Sequence, residues 1–172
     1  SNDNYVVSSP RWDNNSANDA GAVTWGNGAT GTFGLVNGTN SLIGDSAFDQ
    51  IGSFGVAALT NGNYVVISPG WDNGNIVNVG AVTWGNGTTG IKGVVDSSNS
   101  LVGSKNDDGV GRNVSPLPNG NYVVSSPFWD NGSVVDAGAA TWRDGTINTS
   151  GFVDVSNSLV GTRKDDRVSR IG

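Results

Sequence analysis

The sequence contains the same run of residues three times, and this repetition constrains the fold more than any other feature. Each copy reads Asn-Tyr-Val-Val, then Ser-Pro, Trp-Asp-Asn, Gly-Ala-(Val/Ala)-Thr-Trp and finally Asn-Ser-Leu-(Val/Ile)-Gly. The tyrosines are Tyr5, Tyr64 and Tyr122, so the period is 59 and then 58 residues. A long period kept this closely is typical of repeat architectures, in which each unit buries apolar surface against its neighbours. We therefore expect function to lie in what the three copies do together.

The repeats are interrupted at both ends of the sequence. The segment Ile51 to Leu59 recurs as Val110 to Leu117, but it does not recur in full after Val168. Because there is also no Met, we expect a piece of a longer array, or a processed product whose open ends find partners. The first predicted unit, residues 1–50, lacks its leading strand. The second and third units are residues 51–109 and 110–161, and residues 162–172 form a tail that starts the next repeat.

Composition and charge narrow the classes of function. The 172 residues include no Cys, so disulfides and thiolate metal sites are excluded. The net charge of −6 at pH 7 argues against the phosphate attraction that supports nucleic-acid binding. No apolar run approaches the roughly 20 residues that span a bilayer. The many Asn, Ser, Thr and Gly residues resemble exported bacterial proteins, and we expect a secreted, extracellular or cell-surface location without membrane insertion.

Short strand patterns fill each copy, and no window keeps the apolar period of a helix. Runs such as Tyr5-Val-Val-Ser-Ser and Gly21-Ala-Val-Thr-Trp25 are rich in β-branched and aromatic residues and are bounded by Pro, Asn and Gly. Asn61-Gly62 and Asn119-Gly120 predict hairpins. The second copy predicts four strands: Ile51 to Leu59, Tyr64 to Ser68, Ala81 to Trp84, and an interrupted one from Gly93 to Val102.

Each predicted sheet has two uncharged faces. Val23 and Trp25 point to one side of their strand, whereas Ala22 and Thr24 point to the other. Such a small sheet needs a neighbour on each face, as in a propeller blade between blades or a layer in a stack. We predict an all-β chain of tandem four-stranded antiparallel blades, forming a β-propeller-like arc or part of a ring. A stacked β-repeat filament or solenoid is the alternative.

One copy carries residues that resemble a known repeat. Phe54-Gly55, Tyr64 to Pro69 and Gly80 to Trp84 resemble the FG-GAP repeat of integrin-α-type β-propellers. The amino-acid sequence of the repeat is even more similar to repeats of unassigned function in large secreted bacterial exoproteins, including filamentous-haemagglutinin-like ones. The resemblance covers nearly the whole chain and implies ligand binding at one loop edge of the blades. Many FG-GAP blades carry a calcium loop, but Thr60 to Asn63 and Pro118 to Asn121 contain no carboxylate, so we do not transfer that site and expect no cofactor.

The loop after the predicted second strand repeats a Trp-Asp pair in every copy. An indole beside hydrogen-bonding carboxylate and amide groups can stack on a sugar ring and bind its hydroxyls, which makes these loops candidate ligand sites. Alternatively, each Trp folds back between units while its Asp binds the turn backbone. The strand residues Trp25, Trp84 and Trp142 are expected in the core. The candidate ligand-binding residues are Trp12, Asp13, Trp71, Asp72, Trp129 and Asp130.

In a four-stranded meander, the loops after the second and fourth strands lie at the same edge. Acidic residues in the later loop would therefore meet the Trp-Asp pairs, and converging oxygen ligands could hold a hard cation such as calcium. The candidate metal residues are Asp45, Asp49, Asp107, Asp108, Asp165 and Asp166.

The sequence favours a protein that is not an enzyme. Without His or Cys, the usual general bases and thiol nucleophiles are missing. The leading hypothesis is an extracellular repeat segment of a bacterial surface or matrix protein that acts in adhesion or assembly. Alternatives are a lectin-like glycan-binding module and a hydrolase arc completed by another chain. The expected partners are further repeats or a second copy, since two copies could close a ring and contacts that fail to close produce filaments.

Overall fold

The computed structural model describes residues 3–170, and these contain short β-strands and no helix. The ends of the first predicted unit and of the predicted tail, residues 1–2 and 171–172, lie outside the described residues. The all-β prediction is confirmed. The strands are β1 Tyr5–Ser9, β2 Ala22–Gly26, β3 Ser41–Ile43, β4 Val56–Ala58, β5 Tyr64–Ser68, β6 Ala81–Gly85, β7 Gly93–Val94, β8 Ser100–Val102, β9 Asn113–Pro116, β10 Tyr122–Ser126, β11 Ala139–Arg143, β12 Gly151–Phe152 and β13 Leu159–Val160.

The strands form three small, mostly antiparallel sheets. Sheet 1 has the order β1-β2-β3-β7, sheet 2 the order β12-β8-β6-β5-β4, and sheet 3 the order β13-β11-β10-β9. The repeated Tyr-Val-Val strand pairs with the repeated Gly-Ala-Val-Thr-Trp strand over five residues in each sheet. Each copy of the sequence repeat therefore supplies the centre of one sheet.

The two Asn-Gly hairpins are present as predicted, between β4 and β5 and between β9 and β10. In the first, the Leu59 N–H donates to the Asn63 carbonyl at 2.8 Å and the Gly62 N–H donates to the Leu59 carbonyl at 3.0 Å. Gly62 has φ +89° and Gly120, in the second turn, has φ +88°. Glycine adopts this left-handed conformation without the steric cost of a Cβ, so the turn residues fix the register of both hairpins.

The predicted fourth strand is wrong in one respect, because it divides between two sheets. The run from Gly93 to Val102 splits at a turn in which the Asn99 N–H donates to the Asp96 carbonyl at 3.3 Å. Before that turn, β7 pairs in parallel with β3 of sheet 1; after it, β8 pairs with β6 of sheet 2. In the next repeat, β12 pairs in parallel with β8 in the same way. Two sheets are thus completed by a strand of the following repeat.

The sheets pack face to face around two apolar layers. We call the contacts between sheets 1 and 2 joint 1, and those between sheets 2 and 3 joint 2. All five residues of β5 are buried, since side chains of alternate direction enter joint 1 and joint 2. Tyr64 and Val66 lie in joint 1, whereas Val65 and Ile67 lie in joint 2. Sheet 2 therefore has a neighbouring sheet on each face, as predicted for a small apolar sheet.

No helix among residues 3–170 is long and apolar enough to cross a membrane.

Candidate functional site

The three Trp-Asp loops share one local structure. In each, the Asp carboxylate accepts the backbone N–H of the residue six positions later, and that residue has a positive φ near 50°. Asp side chains commonly bind turn backbone in this way, so each carboxylate closes its own loop. The bonds join Asp19 N to Asp13 Oδ1 at 2.8 Å, Asn78 N to Asp72 Oδ1 at 2.7 Å, and Asp136 N to Asp130 Oδ1 at 2.8 Å.

The tryptophans of these loops pack between sheets. Trp71 is 3% exposed in joint 1 and Trp129 is 4% exposed in joint 2, whereas Trp12 of the first loop is half-buried. Their position matches the alternative in which each Trp folds back between units. The covered rings of Trp71 and Trp129 offer no face to a sugar in this structure. Both Nε1 atoms are buried, and the described residues provide no hydrogen-bond acceptor for them.

Two of the strand tryptophans, Trp25 and Trp84, pack against the apolar layers as predicted, whereas the exposure of Trp142 corrects its assignment to the core. Trp25 and Trp84 are half-buried and Trp142 is 52% exposed. The Trp25 Nε1–H donates to the Gly87 carbonyl at 3.1 Å, and the Trp84 Nε1–H donates to the Gly145 carbonyl at 2.9 Å. Each bond reaches a turn of the following repeat. The alternation of side chains along the strand correctly predicts which side of the sheet each ring occupies. Whether the ring is covered depends on the turn of the following repeat.

A buried carboxylate also crosses joint 1. Asp49 is fully buried, and its Oδ2 accepts the backbone N–H groups of Asp45 at 3.1 Å and Ser46 at 2.9 Å. Its Oδ1 accepts the N–H of Asp72, in the Trp-Asp loop of the next repeat, at 3.0 Å. Burial raises the pKa of the Asp49 carboxyl to about 6, although the three N–H groups act in the opposite direction. Asp49 thus ties one repeat to the next.

Asp108 repeats this arrangement in joint 2. It is fully buried, with Oδ2 accepting the N–H groups of Ser104 at 2.7 Å and Lys105 at 2.9 Å. Its Oδ1 accepts the N–H of Asp130 at 3.0 Å. Burial again raises the pKa of the carboxyl. The predicted edge therefore does bring the acidic loop and the Trp-Asp loop together, but the two loops joined by the carboxylate belong to successive repeats.

The third member of this series, Asp166, is exposed. Its Oδ2 accepts the N–H groups of Thr162 at 2.9 Å and Arg163 at 2.8 Å, and these bonds lower the pKa of the carboxyl. Within residues 3–170 its Oδ1 receives no hydrogen bond of the kind that Asp72 and Asp130 donate. Asp166 therefore closes its own loop, but among the described residues it does not bind the Trp-Asp loop of a following repeat.

The remaining acidic candidates lie at the surface. Asp45 is exposed, Asp107 Oδ1 accepts the Asn78 amide at 2.9 Å, and Asp165 lies 3.1 Å from the Arg167 guanidinium. The part of the chain that the structure describes contains no group of three or more His, Cys, Asp or Glu side chains that could hold a metal ion. Backbone N–H groups meet both oxygens of each buried carboxylate.

The joint is the site that sequence reasoning missed. It has four parts that recur: an added parallel strand, an apolar layer, an indole N–H bound to a glycine carbonyl, and a carboxylate bound to the next Trp-Asp loop. One signal was present in the sequence, because Asp49, Asp108 and Asp166 recur with the spacing of the tyrosines.

Hollows lie where a joint is incomplete. A cavity of about 260 Å³ lies beside the open edge of β1, between Val6, Trp25, Val56 and Tyr64. A shallow hollow of about 340 Å³ covers the outer face of sheet 3, lined by Val123, Ala140, Trp142, Asn157, Ser158 and Leu159.

Comparison with known proteins identifies the repeat. The family described as a repeat of unknown function (DUF5650) matches residues 1–53, 58–112 and 116–170. No curated protein matches the chain. The matches cover almost the whole sequence in three tandem copies. The chain therefore belongs to the DUF5650 repeat family.

Proposed function

We propose that the chain is a structural, non-enzymatic segment of an extracellular surface or matrix protein, which acts in adhesion or assembly by joining blade-like repeats. The supporting observation is that the same joint forms twice, with the same partners at corresponding positions. Nearest-neighbour contacts of this kind let repeat proteins extend as rigid objects, because each unit stabilises the next.

The most regular residues of the repeat serve the joint. Trp71 and Trp129 fill the apolar layers, and the loop carboxylates close their own turns. Residues that recur for packing must recur with every unit, whereas a catalytic centre needs only one copy. This use of the repeated residues favours a structural role over a hydrolase completed by another chain.

The blades of the proposal are the three sheets, of which sheets 1 and 2 are each completed by a strand of the following repeat. If every sheet receives a strand from the following repeat, the repeats form either a propeller-like ring, as the FG-GAP resemblance implies, or an open stack, as in the alternative filament or solenoid. Electron microscopy of the assembled particle distinguishes the two by shape.

Beads coated with the purified chain test the adhesive role. We expect coated beads to clump with one another, and we expect soluble chain to inhibit the clumping by occupying the same surfaces. Free monosaccharides and oligosaccharides should leave the clumping unchanged. Coated beads that stay dispersed in every condition would contradict the proposal.

Carbohydrate binding is the second candidate, favoured by the exposed Trp142 ring beside Asn157 in the hollow of sheet 3. A glycan array probes it directly. Binding to a defined sugar that is lost in Trp142→Ala, but kept in Trp12→Ala, would establish this candidate in place of the structural one.

A further inference from the structure

We propose that the outer faces of sheets 1 and 3 are two halves of a third joint, through which a second copy of this chain docks head to tail. In this arrangement, residues 34–35 of one copy add as a parallel strand to β13 of the other. The inference rests on the proposed structural function and specifies its contact surface.

The donor segment begins with a glycine whose φ matches that of its counterparts in the joints. Gly34 corresponds by repeat position to Gly93 of β7 and Gly151 of β12. The three glycines have φ of +110°, +105° and +104°. Yet Leu35 is 87% exposed, because among the described residues no strand lies beside residues 34–35.

The acceptor is the free edge of β13. Its counterparts β3 and β8 each pair with a parallel strand of the following repeat, whereas β13 pairs only with β11 among the described strands. Leu159 is 77% exposed, while its counterparts Leu42 and Leu101 are 0% and 1% exposed. An unpaired edge of this kind is a template for another strand. The register of the two joints predicts Leu159 opposite Gly34 and Val160 opposite Leu35.

The apolar faces behind these strands correspond to the two halves of a joint. On sheet 1, Tyr5 and Val7 are 43% and 47% exposed, although the equivalent Tyr64 and Val66 fill joint 1. On sheet 3, Val123, Ala140 and Trp142 line an open hollow, although the equivalent residues of sheet 2 fill joint 2: Val65, Val82 and Trp84. Each face thus presents the side chains that its counterpart buries.

Polar groups at the same faces also correspond. The Trp142 Nε1–H is placed as a donor for the Gly28 carbonyl of the second copy, as Trp25 is for Gly87. Asp166 Oδ1, which accepts no hydrogen bond from residues 3–170, is placed as an acceptor for the backbone N–H of that copy's Asp13. Both joints contain these two hydrogen bonds.

A second copy is favoured over an unrelated ligand because both halves of the surface lie on one chain. The two halves are different, so the contact is heterologous and produces rings or filaments. Each copy carries a net charge of −6. Their repulsion should fall as salt is added, since the Debye length shortens from about 10 Å at 0.1 M to about 3 Å at 1 M.

Cysteine cross-linking tests the register, and the chain has no native Cys to interfere. Chains carrying Leu35→Cys are mixed with chains carrying Val160→Cys and oxidised gently. Neighbouring strands lie about 4.8 Å apart, within disulfide range, so we expect a covalent dimer to be the main product. Disulfide formation in the double variant Ile43→Cys and Val94→Cys, a registered pair within joint 1, provides the positive control.

A mismatched pair provides the negative control. Val77 is 46% exposed in a Trp-Asp loop, away from both outer faces, so Val77→Cys mixed with Leu35→Cys should yield far less dimer. Equal yields from the matched and mismatched pairs would overturn the inference.

Light scattering over a concentration series tests the same contact without cross-linking. We expect the mass to rise above 17.6 kDa with concentration, and to rise further at high salt. Val7→Asp and Leu159→Asp each charge one outer face and should each keep the chain monomeric, whereas Val135→Asp, at a similarly exposed loop position, should not. A wild-type mass that stays monomeric at every concentration and salt would overturn head-to-tail docking. That result would leave the structural proposal standing if coated beads still clump without sugar.

Discussion

The two joints and the two outer faces contain corresponding residues in different surroundings. Leu101 is buried in joint 2, and Leu159, at the same repeat position, is exposed on sheet 3. Asp108 is buried with three N–H donors, and Asp166 is exposed with two. The difference teaches that the burial and hydrogen bonding of these residues depend on the following repeat rather than on their own.

Truncation of the repeated leucine should show the largest contrast. Leu101→Ala removes a buried side chain and leaves a cavity, so we expect a loss of about 2–5 kcal/mol in the free energy of unfolding. Leu159→Ala removes an exposed side chain and should cost less than about 0.5 kcal/mol. Denaturant unfolding at low protein concentration measures both. Similar losses for the two variants would break the comparison.

The pH dependence of stability should reflect the buried carboxyl of joint 1. Burial raises the pKa of the Asp49 carboxyl from its ordinary value of 3.8 to about 6, so the folded state binds the proton more tightly than the unfolded state does. The contribution of Asp49 to the free energy of unfolding therefore falls as pH rises from about 4 to 6, by up to about 3 kcal/mol. Unfolding at intervals between pH 4 and 7 measures the slope, and Asp49→Asn should flatten it. A stability that rises steadily across this range in the wild type, with the same slope in the variant, would contradict the assignment.

Removal of the crossing carboxylate in joint 2 should have a smaller effect. Asp108→Ala leaves three backbone N–H groups without their acceptor and should cost about 1–3 kcal/mol at pH 7, offset in part by relief of the buried charge. Asp166→Ala is the matched control at the exposed position and should change stability less. Thermal unfolding of both variants at one pH provides the measurement, and an equal shift in melting temperature would indicate that the joint adds nothing.

The smallest effect should come from the strand tryptophans. Trp84→Phe removes the N–H bound to the Gly145 carbonyl and should cost roughly 0.5–1.5 kcal/mol. Trp142→Phe removes an N–H at the exposed position and should be nearly neutral. Chemical denaturation of the two variants side by side resolves the difference, and a larger loss for Trp142→Phe would reverse the comparison.

The local elements of the fold could be predicted from the sequence, but their partners could not. Tyr-Val-Val runs and Asn-Gly pairs determine strands and hairpins through short-range chemistry, and both were placed correctly. The partner of β7 was missed because a two-residue strand carries too little pattern to choose between sheets. The exposure of Trp142 was misjudged for a related reason. Alternation indicates which side of a strand a ring occupies, whereas coverage of Trp84 depends on a turn some 60 residues later, at Gly145.

The central claim is that the recurring residues form a joint whenever another repeat follows. The most direct test appends a second copy of residues 113–170 after residue 170 and follows Trp142, labelled as 5-fluorotryptophan, by fluorine NMR. We predict that the Trp142 resonance loses its solvent isotope shift and that the free energy of unfolding rises. A Trp142 that stays exposed in the extended chain, with no gain in stability, would contradict the account.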